Sequence, residues 1–181
     1  MTRCFWCNLK NPLYIKYHDD EWGRQRLDDK YLFEMLLLES FQAGLSWECV
    51  LNKREAFRVA FDGFDAEAIS AYGEEKINAL YQNSDIIRNR RKIESAVKNA
   101  QVFLLIADEF GSFEGYLREF WDGRVIYDSV SVSSPLSDKI SSDLKRRGMR
   151  FVGTVVVQSF LQAIGIINAH TEECFLYTTG L

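Results

Sequence analysis

Four residues able to bind a soft metal ion stand at the two ends of this 181-residue chain: Cys4 and His18 near the start, His170 and Cys174 near the finish. Zinc favours four tetrahedral ligands drawn from Cys and His, and a set supplied wholly by protein is structural, with no position left for water. One Cys-His pair from each end would clip the termini together. The only two histidines in the chain belong to this set. Competing readings stand beside it. Cys7 follows Cys4 at a spacing that nominates either sulfur. Cys49 sits among Trp47, Val50 and Leu51 and reads as a small buried hydrophobe. His170 and Cys174 are spaced i, i+4, so on a helix they share one face and reach one ion. The plainer reading of those two is a satisfied histidine and an unrelated thiol.

Glu39 is the second candidate for chemistry. It lies in Leu36-Leu37-Leu38-Glu39-Ser40-Phe41, and its helical neighbours are Met35, Leu36 and Ala43. A carboxylate on such a face is desolvated unless it opens into a pocket. Desolvation raises its pKa, and perturbed carboxylates concentrate at working sites. The alternative is a Glu that caps or bridges a neighbouring element. Tyr14, Tyr17, Trp22 and Trp47 crowd the same part of the sequence. Aromatic clusters are mostly core, yet the polar tips of Tyr and Trp also let them line a wet pocket. An acidic group ringed by aromatic faces suits a flat cationic ring, which the faces attract by cation–π contact and the carboxylate by hydrogen bonds.

The elements that must hold these residues read as helices. Asp28 or Asp29 can cap a helix through Tyr31, Leu32, Met35 and Leu36 to about Gln42, ended by Gly44. Ser46 can cap the next, carrying Val50, Leu51, Ala56, Phe57 and Phe61. Asp65 opens a short helix that stops at Gly73, and Glu74 and Glu75 favour another through Ile77, Leu80 and Tyr81. Asn83 and Ser84 mark a tight turn. A long helix is expected from about Asp85 to Asp108, closed by Gly111. Phe113 to Trp121 and Leu136 to Arg147 are helical, and Val125 to Ser134 reads as loop. Phe151 through Thr171 carries no charged side chain. Its polar residues and glycines argue for a central buried helix, Gly153 to Ile167, over a membrane span. The class is all-α.

Composition bounds the rest. One domain, residues 1–181, is expected, with a core supplied by 47% hydrophobic content, four Trp and thirteen Phe. Four cysteines in this length are no disulfide framework, and the start lacks a secretory apolar run, so a reducing, cytoplasmic setting is expected. Net charge of −4 argues against a generally sticky nucleic-acid binder. Two basic clusters, Arg88-Arg90-Arg91-Lys92 and Lys145-Arg146-Arg147-Arg150, read as solvated helix faces or as basic patches on an acidic protein.

The order and spacing of several fragments resemble one family over nearly the whole length. These fragments are Arg3-Cys4-x-Trp6, Pro12-Leu13-Tyr14-Ile15-x-Tyr17-His18-Asp19-x-Glu21-Trp22-Gly23, Leu32-Phe33-Glu34-Met35, Glu39, and Gln42-Ala43-Gly44-Leu45-Ser46-Trp47. They continue with Ile86-Ile87-Arg88-Asn89-Arg90-x-Lys92-Ile93, Phe151-Val152-Gly153-Thr154, Ser159-Phe160-x-Gln162-Ala163, His170 and Cys174. The chain is similar to the constitutive 3-methyladenine DNA glycosylase I family of the helix-hairpin-helix superfamily. That resemblance implies hydrolysis of the N-glycosidic bond of 3-methyladenine in alkylated double-stranded DNA after base flipping, in base excision repair on chromosomal DNA. It implies a monofunctional, monomeric enzyme with no membrane association. It further implies one structural zinc on Cys4, His18, His170 and Cys174, with Cys7 a bystander or competitor. A base pocket of Glu39, Tyr14, Tyr17, Trp22 and Trp47 is implied, with Glu39 the catalytic and recognition carboxylate. Gly44 and Leu45 match the loop that enters the duplex. A hairpin at about 80–93, with Arg88, would grip phosphate. Two positions depart from the family pattern: Asp85 stands where the hairpin glycine is expected, and Phe41 replaces a smaller residue beside Glu39. The rivals are a non-catalytic sensor of alkylation damage with the same pocket, and a zinc hydrolase working through a metal-bound water.

Overall fold

The computed structural model describes residues 1–179. Several of its helices begin where a side chain takes up backbone N–H groups that the first turn leaves unpaired. Asn11 caps α1 (Pro12–Asp20) and Asp28 caps α2 (Asp29–Gln42). Ser46 caps α3 (Trp47–Asn52), which Lys53 separates from α4 (Arg54–Ala60). A 3-10 turn, Asp62–Phe64, leads to α5 (Ala66–Ser70), capped by Asp65, and to α6 (Glu74–Gln82). Asn89 caps α7 (Arg90–Phe110), and Gly111 ends it in the left-handed conformation. Then follow α8 (Phe113–Arg118), α9 (Pro135–Arg146) and α10 (Thr154–Ala163). Two two-residue strands, β1 (Ile126–Tyr127) and β2 (Ile167–Asn168), pair in parallel.

The chain is thus mostly helical, and α2 is its axis. Every residue from Tyr31 to Phe41 is buried, and α3, α7, α8 and α10 pack around it. A helix that is apolar all round belongs inside a core. Two carboxylates break that apolar surface, Glu34 and Glu39. Glu34 meets the guanidinium groups of Arg54 at 2.8 Å and Arg58 at 2.7 Å, as a buried charge requires. Glu39 has no such partner among the described residues.

Several boundaries differ from those expected. The helix from Ser46 to Phe61 breaks at Lys53, whose N–H reaches back to Val50 O and Leu51 O. Its ammonium leaves toward the carbonyls of Asp85, at 2.8 Å, and Ser84. The long helix starts at Arg90 rather than near Asp85. Asn83 Oδ1 accepts the Asp85 N–H, a local bond that competes with helix propagation, and Asn89 Oδ1 accepts the Lys92 N–H as the cap that starts α7. The last helix stops at Ala163 because Gly165 turns the chain at φ +76°, where an added Cβ would lie 2.3 Å from the Arg24 backbone. Ile167 then enters a strand, so the structure is not purely α. His170 and Cys174 lie on an irregular segment, not on one helix face. Cys49 is half-buried rather than core.

Candidate functional site

A cavity of about 170 Å³ opens between α1, α2, α3 and α10. The Pro12 helix delivers Tyr14 and Tyr17, and the turn after it delivers Trp22. Glu39 comes from the last turn of α2 and Trp47 from the first residue of α3. All five line the cavity, joined by Trp6, Gln42, Ser159 and Gln162. The size is well below the roughly 300–1,000 Å³ of drug-sized sites and suits one small ring system.

Two buried polar atoms on its lining residues are its most telling feature. Among the described residues, two buried side-chain polar atoms have no hydrogen-bond partner: Glu39 Oε2 and Trp47 Nε1. One is an acceptor and the other a donor, and both belong to the same pocket wall. Burial pushes the Glu39 carboxyl up to about 8, since a charged group loses hydration there. The raised value favours the neutral carboxyl, and a cation beside it would favour the carboxylate. Burial also raises Tyr14, to about 12, and raises Tyr17 well above its ordinary value, so both phenols stay neutral. The rings brace one another: Tyr17 and Trp47 lie 5.2 Å apart by centroid, Trp6 and Trp22 4.6 Å apart edge-on. Phe41 is absent from the lining. It packs behind α2 on Phe57 and Phe61 and does not narrow the pocket.

Behind Trp22 the two chain ends meet. Cys4, His18, His170 and Cys174 are all buried, and their ligand atoms lie within 4.8 Å of one another. Three sulfur–nitrogen separations are 3.5 Å: Cys4 Sγ to His170 Nδ1, and Cys174 Sγ to His18 Nε2 and His170 Nδ1. Tetrahedral zinc with its usual bond lengths sets that edge at about 3.6 Å, so the residues fit the ion. Asp19 Oδ1 sits 2.8 Å from His18 Nδ1 and is itself held by Arg3, which turns Nε2 of His18 toward the cluster. Burial, with Cys174 beside it, pushes Cys4 up to about 11, and burial, with His18 beside it, pushes His170 down to about 4. His170 is thus the neutral imidazole that metals bind, whereas Cys4 needs a cation to become thiolate. Cys7 stands apart, its Sγ directed to Tyr14 O at 3.8 Å. The imidazoles back the pocket wall: His170 meets Trp22 edge-on at 4.7 Å and His18 meets Trp6 at 5.2 Å. Gly23 permits this approach, since a Cβ there would lie 3.2 Å from His170 Nε2 at φ +74°.

Gly44 and Leu45 are exposed beside the cavity, between the lining residues Gln42 and Trp47. Arg88 is exposed in the segment between α6 and α7 and makes no ion pair among the described residues. Asp85 is exposed there too, with φ outside the positive range, so its backbone does not require glycine. The two basic clusters are less free than their sequence suggests. Arg90 pairs with Glu74 and Glu94, Lys92 is buried, and Arg147 pairs with Glu109 and Asp143.

Four lining residues, Trp6, Gln42, Ser159 and Gln162, lie outside the pocket expected from sequence. Ser159 and Gln162 do leave a signal there: they sit three apart, on one face of a helix otherwise free of charge.

The sequence profile of the methyladenine glycosylase family matches residues 6–177. The chain is 40% identical to DNA-3-methyladenine glycosylase 1 of Escherichia coli (strain K12), over 98% of this chain and 97% of that protein. It is 38% identical to DNA-3-methyladenine glycosylase of Haemophilus influenzae, over 96% of each. A crystal structure of 3-methyladenine DNA glycosylase I superposes with a TM-score of 0.93 at 42% identity, covering 98% of this chain and 100% of that one. The Staphylococcus aureus 3-methyladenine DNA glycosylase I, solved for the structural basis of 3-methyladenine recognition, gives 0.90 at 35% identity over 96% of each chain.

Proposed function

The chain belongs to the methyladenine glycosylase family, and from that premise we propose that it excises 3-methyladenine from alkylated DNA by hydrolysing the N-glycosidic bond. The observation that carries this reading is the pair of unpartnered buried atoms, Glu39 Oε2 and Trp47 Nε1, on two residues that line a cavity the size of one base. A ring offering an N–H to the first and an acceptor to the second completes both.

A duplex hides its bases, so the target must leave the stack, at a cost of a few kcal/mol that is smaller for a damaged pair. Methylation at N3 places positive charge on the ring and weakens the glycosidic bond. Tyr17, Trp22 and Trp47 hold the cationic ring by stacking and cation–π contact. Tyr14 supports that wall. The ring's positive charge lowers the Glu39 pKa so that its proton passes to solvent, and the carboxylate then holds the cationic ring. As the glycosidic bond opens, its electron pair neutralises the departing base, and water adds to C1′ and gives its proton to solvent. Among the described residues, Glu39 is the one carboxyl lining the cavity, and no lysine lines it. The first point supports catalysis through departure of the base rather than through a second carboxylate activating water. The second supports a monofunctional reading, hydrolysis without a Schiff base.

Cys4, His18, His170 and Cys174 would hold one zinc, which supplies a structural cross-link and no reaction chemistry, since four protein ligands leave no open position. Residues 83–89 act as the hairpin of a helix-hairpin-helix motif, with Arg88 on phosphate, and Gly44 and Leu45 enter the duplex. The enzyme works as a monomer on double-stranded DNA. The test is incubation with methylated DNA and identification of the released base. Free 3-methyladenine is expected. Binding without release would instead support a damage sensor.

A further inference from the structure

Lys92 is a buried lysine on the first turn of α7, far in sequence from the pocket. Its Nζ donates at 2.7 Å to Phe41 O and at 2.7 Å to Ala43 O, and it lies 5.8 Å above the Phe151 ring. Burial lowers its pKa, so an ammonium is kept here against a solvation cost. Part of the compensation is generic. Carbonyls at a helix C-terminus are unpaired and carry the negative end of the dipole, and Phe41 O is one of them.

The bond to Ala43 O does something more specific. Gln42, Ala43, Gly44 and Leu45 form a turn closed by Leu45 N–H to Gln42 O at 2.6 Å. Ala43 has φ −46° and ψ 112°, and Gly44 has φ +82°. Those angles define a type II turn. Types I and II differ in the orientation of the central peptide, here the one between Ala43 and Gly44. Its carbonyl is the one Lys92 holds. Flipping that peptide toward type I would carry Ala43 O off the ammonium and leave the buried charge short of an acceptor. Gly44 supplies the positive φ, and Lys92 selects the peptide orientation that uses it. The turn joins the pocket residues Gln42 and Trp47 and displays Leu45.

We propose that Lys92 is a positioning residue that fixes the Ala43–Gly44 peptide, and thereby sets Leu45 at the pocket mouth for entry into duplex DNA. It acts through the turn and touches neither base nor phosphate. Its place on the helix that follows the hairpin ties the stance of Leu45 to the element carrying Arg88. This inference rests on the excision reaction proposed above and adds to it a determinant of duplex use.

The experiment compares excision of 3-methyladenine from methylated duplex and from methylated single strands, alongside the affinity for free 3-methyladenine. Parent protein, Lys92→Met, Lys92→Arg and Gly44→Ala are measured. Misplacement of about an ångström lowers rates by roughly tenfold to a hundredfold. The duplex-to-single-strand ratio should fall by that order in Lys92→Met and recover in Lys92→Arg, while free-base affinity stays within about threefold. A merely structural lysine would lower all three readouts together, and that result overturns the proposal. Gly44→Ala keeps the inference testable if Lys92→Met does not fold. An added Cβ meets nothing within 4 Å but is strained at φ +82°, so this variant perturbs the turn and leaves the core intact. An unchanged ratio in Gly44→Ala also overturns the proposal. Failure of the parent to release any base would instead defeat the excision reading itself.

Discussion

Replacing Glu39 by glutamine should change stability in a manner that depends on pH. Burial raises the carboxyl from 4.5 to about 8. Between those values the native state keeps a proton that the unfolded chain has lost, so stability falls as pH rises through the window and levels off above about 8. The sign follows from the raised pKa: the contribution is complete below about 4.5 and gone above about 8. At about 1.4 kcal/mol per unit, the ionised carboxylate costs on the order of 5 kcal/mol, of which about 3 kcal/mol is already present at pH 7 and under about 1 kcal/mol at pH 5. The carboxamide of Glu39→Gln is nearly isosteric and never ionises. The variant should therefore match the parent near pH 5 and gain on it steadily toward pH 8.5, while excision of 3-methyladenine drops. Urea unfolding of both proteins at a series of pH values gives the difference directly, and groups common to both cancel in it. A stability difference that stays constant from pH 5 to 9 would refute the assignment of a desolvated, unpartnered carboxyl at the pocket.

Trp47→Ala should weaken binding of free 3-methyladenine by about 1–3 kcal/mol, the worth of one base–aromatic stack; titration calorimetry showing equal affinity would remove Trp47 from the site. Chelating the metal should lower the melting temperature and expose both chain ends to proteolysis, while protein that remains folded keeps some excision activity; complete loss of chemistry with an unchanged melting curve would favour a metal-bound water. Arg88→Ala should weaken duplex binding uniformly across sequences and reduce the slope of log K against log salt by about 1. An unchanged slope would place phosphate contact elsewhere.

The cast of the site is legible in the chain before its shape is. Glu39 stands out because a carboxylate does not belong inside an apolar run, and the four aromatics stand beside it in sequence. The contrast that gives Glu39 its meaning is not legible. Glu34 is buried on the same helix, but Arg54 and Arg58 reach it from a different element, and no local pattern announces that pairing. Lys92 reads as part of a solvated basic cluster because four cations in five residues look like a surface. Its burial depends on α2 ending above it. Helix starts are legible where one side chain caps one helix, as at Asp28 and Ser46. They fail at 83–89, where Asn83 draws the Asp85 N–H into a local turn and the cap is Asn89 rather than a residue near Asp85. His170 and Cys174 are brought to one point by a turn in irregular chain, and the i, i+4 spacing suggests a helix that the backbone does not form.

The meeting of Cys4 and His18 with His170 and Cys174 against Trp22 has a bearing on synthesis. One wall of the cavity leans on imidazoles from opposite extremities of the polypeptide, and the Phe175 N–H bonds to Thr2 O. A nascent chain whose last stretch beyond α10 has yet to emerge has every helix of the fold but lacks the partner that presses Trp22 into place. Nonsense or frameshift truncations that spare α10 should accordingly accumulate as helical proteins unable to retain a base. A circular permutant joining residue 179 to residue 1 should tolerate loss of the ion better than the natural chain, because peptide continuity then does the work of keeping the two extremities together.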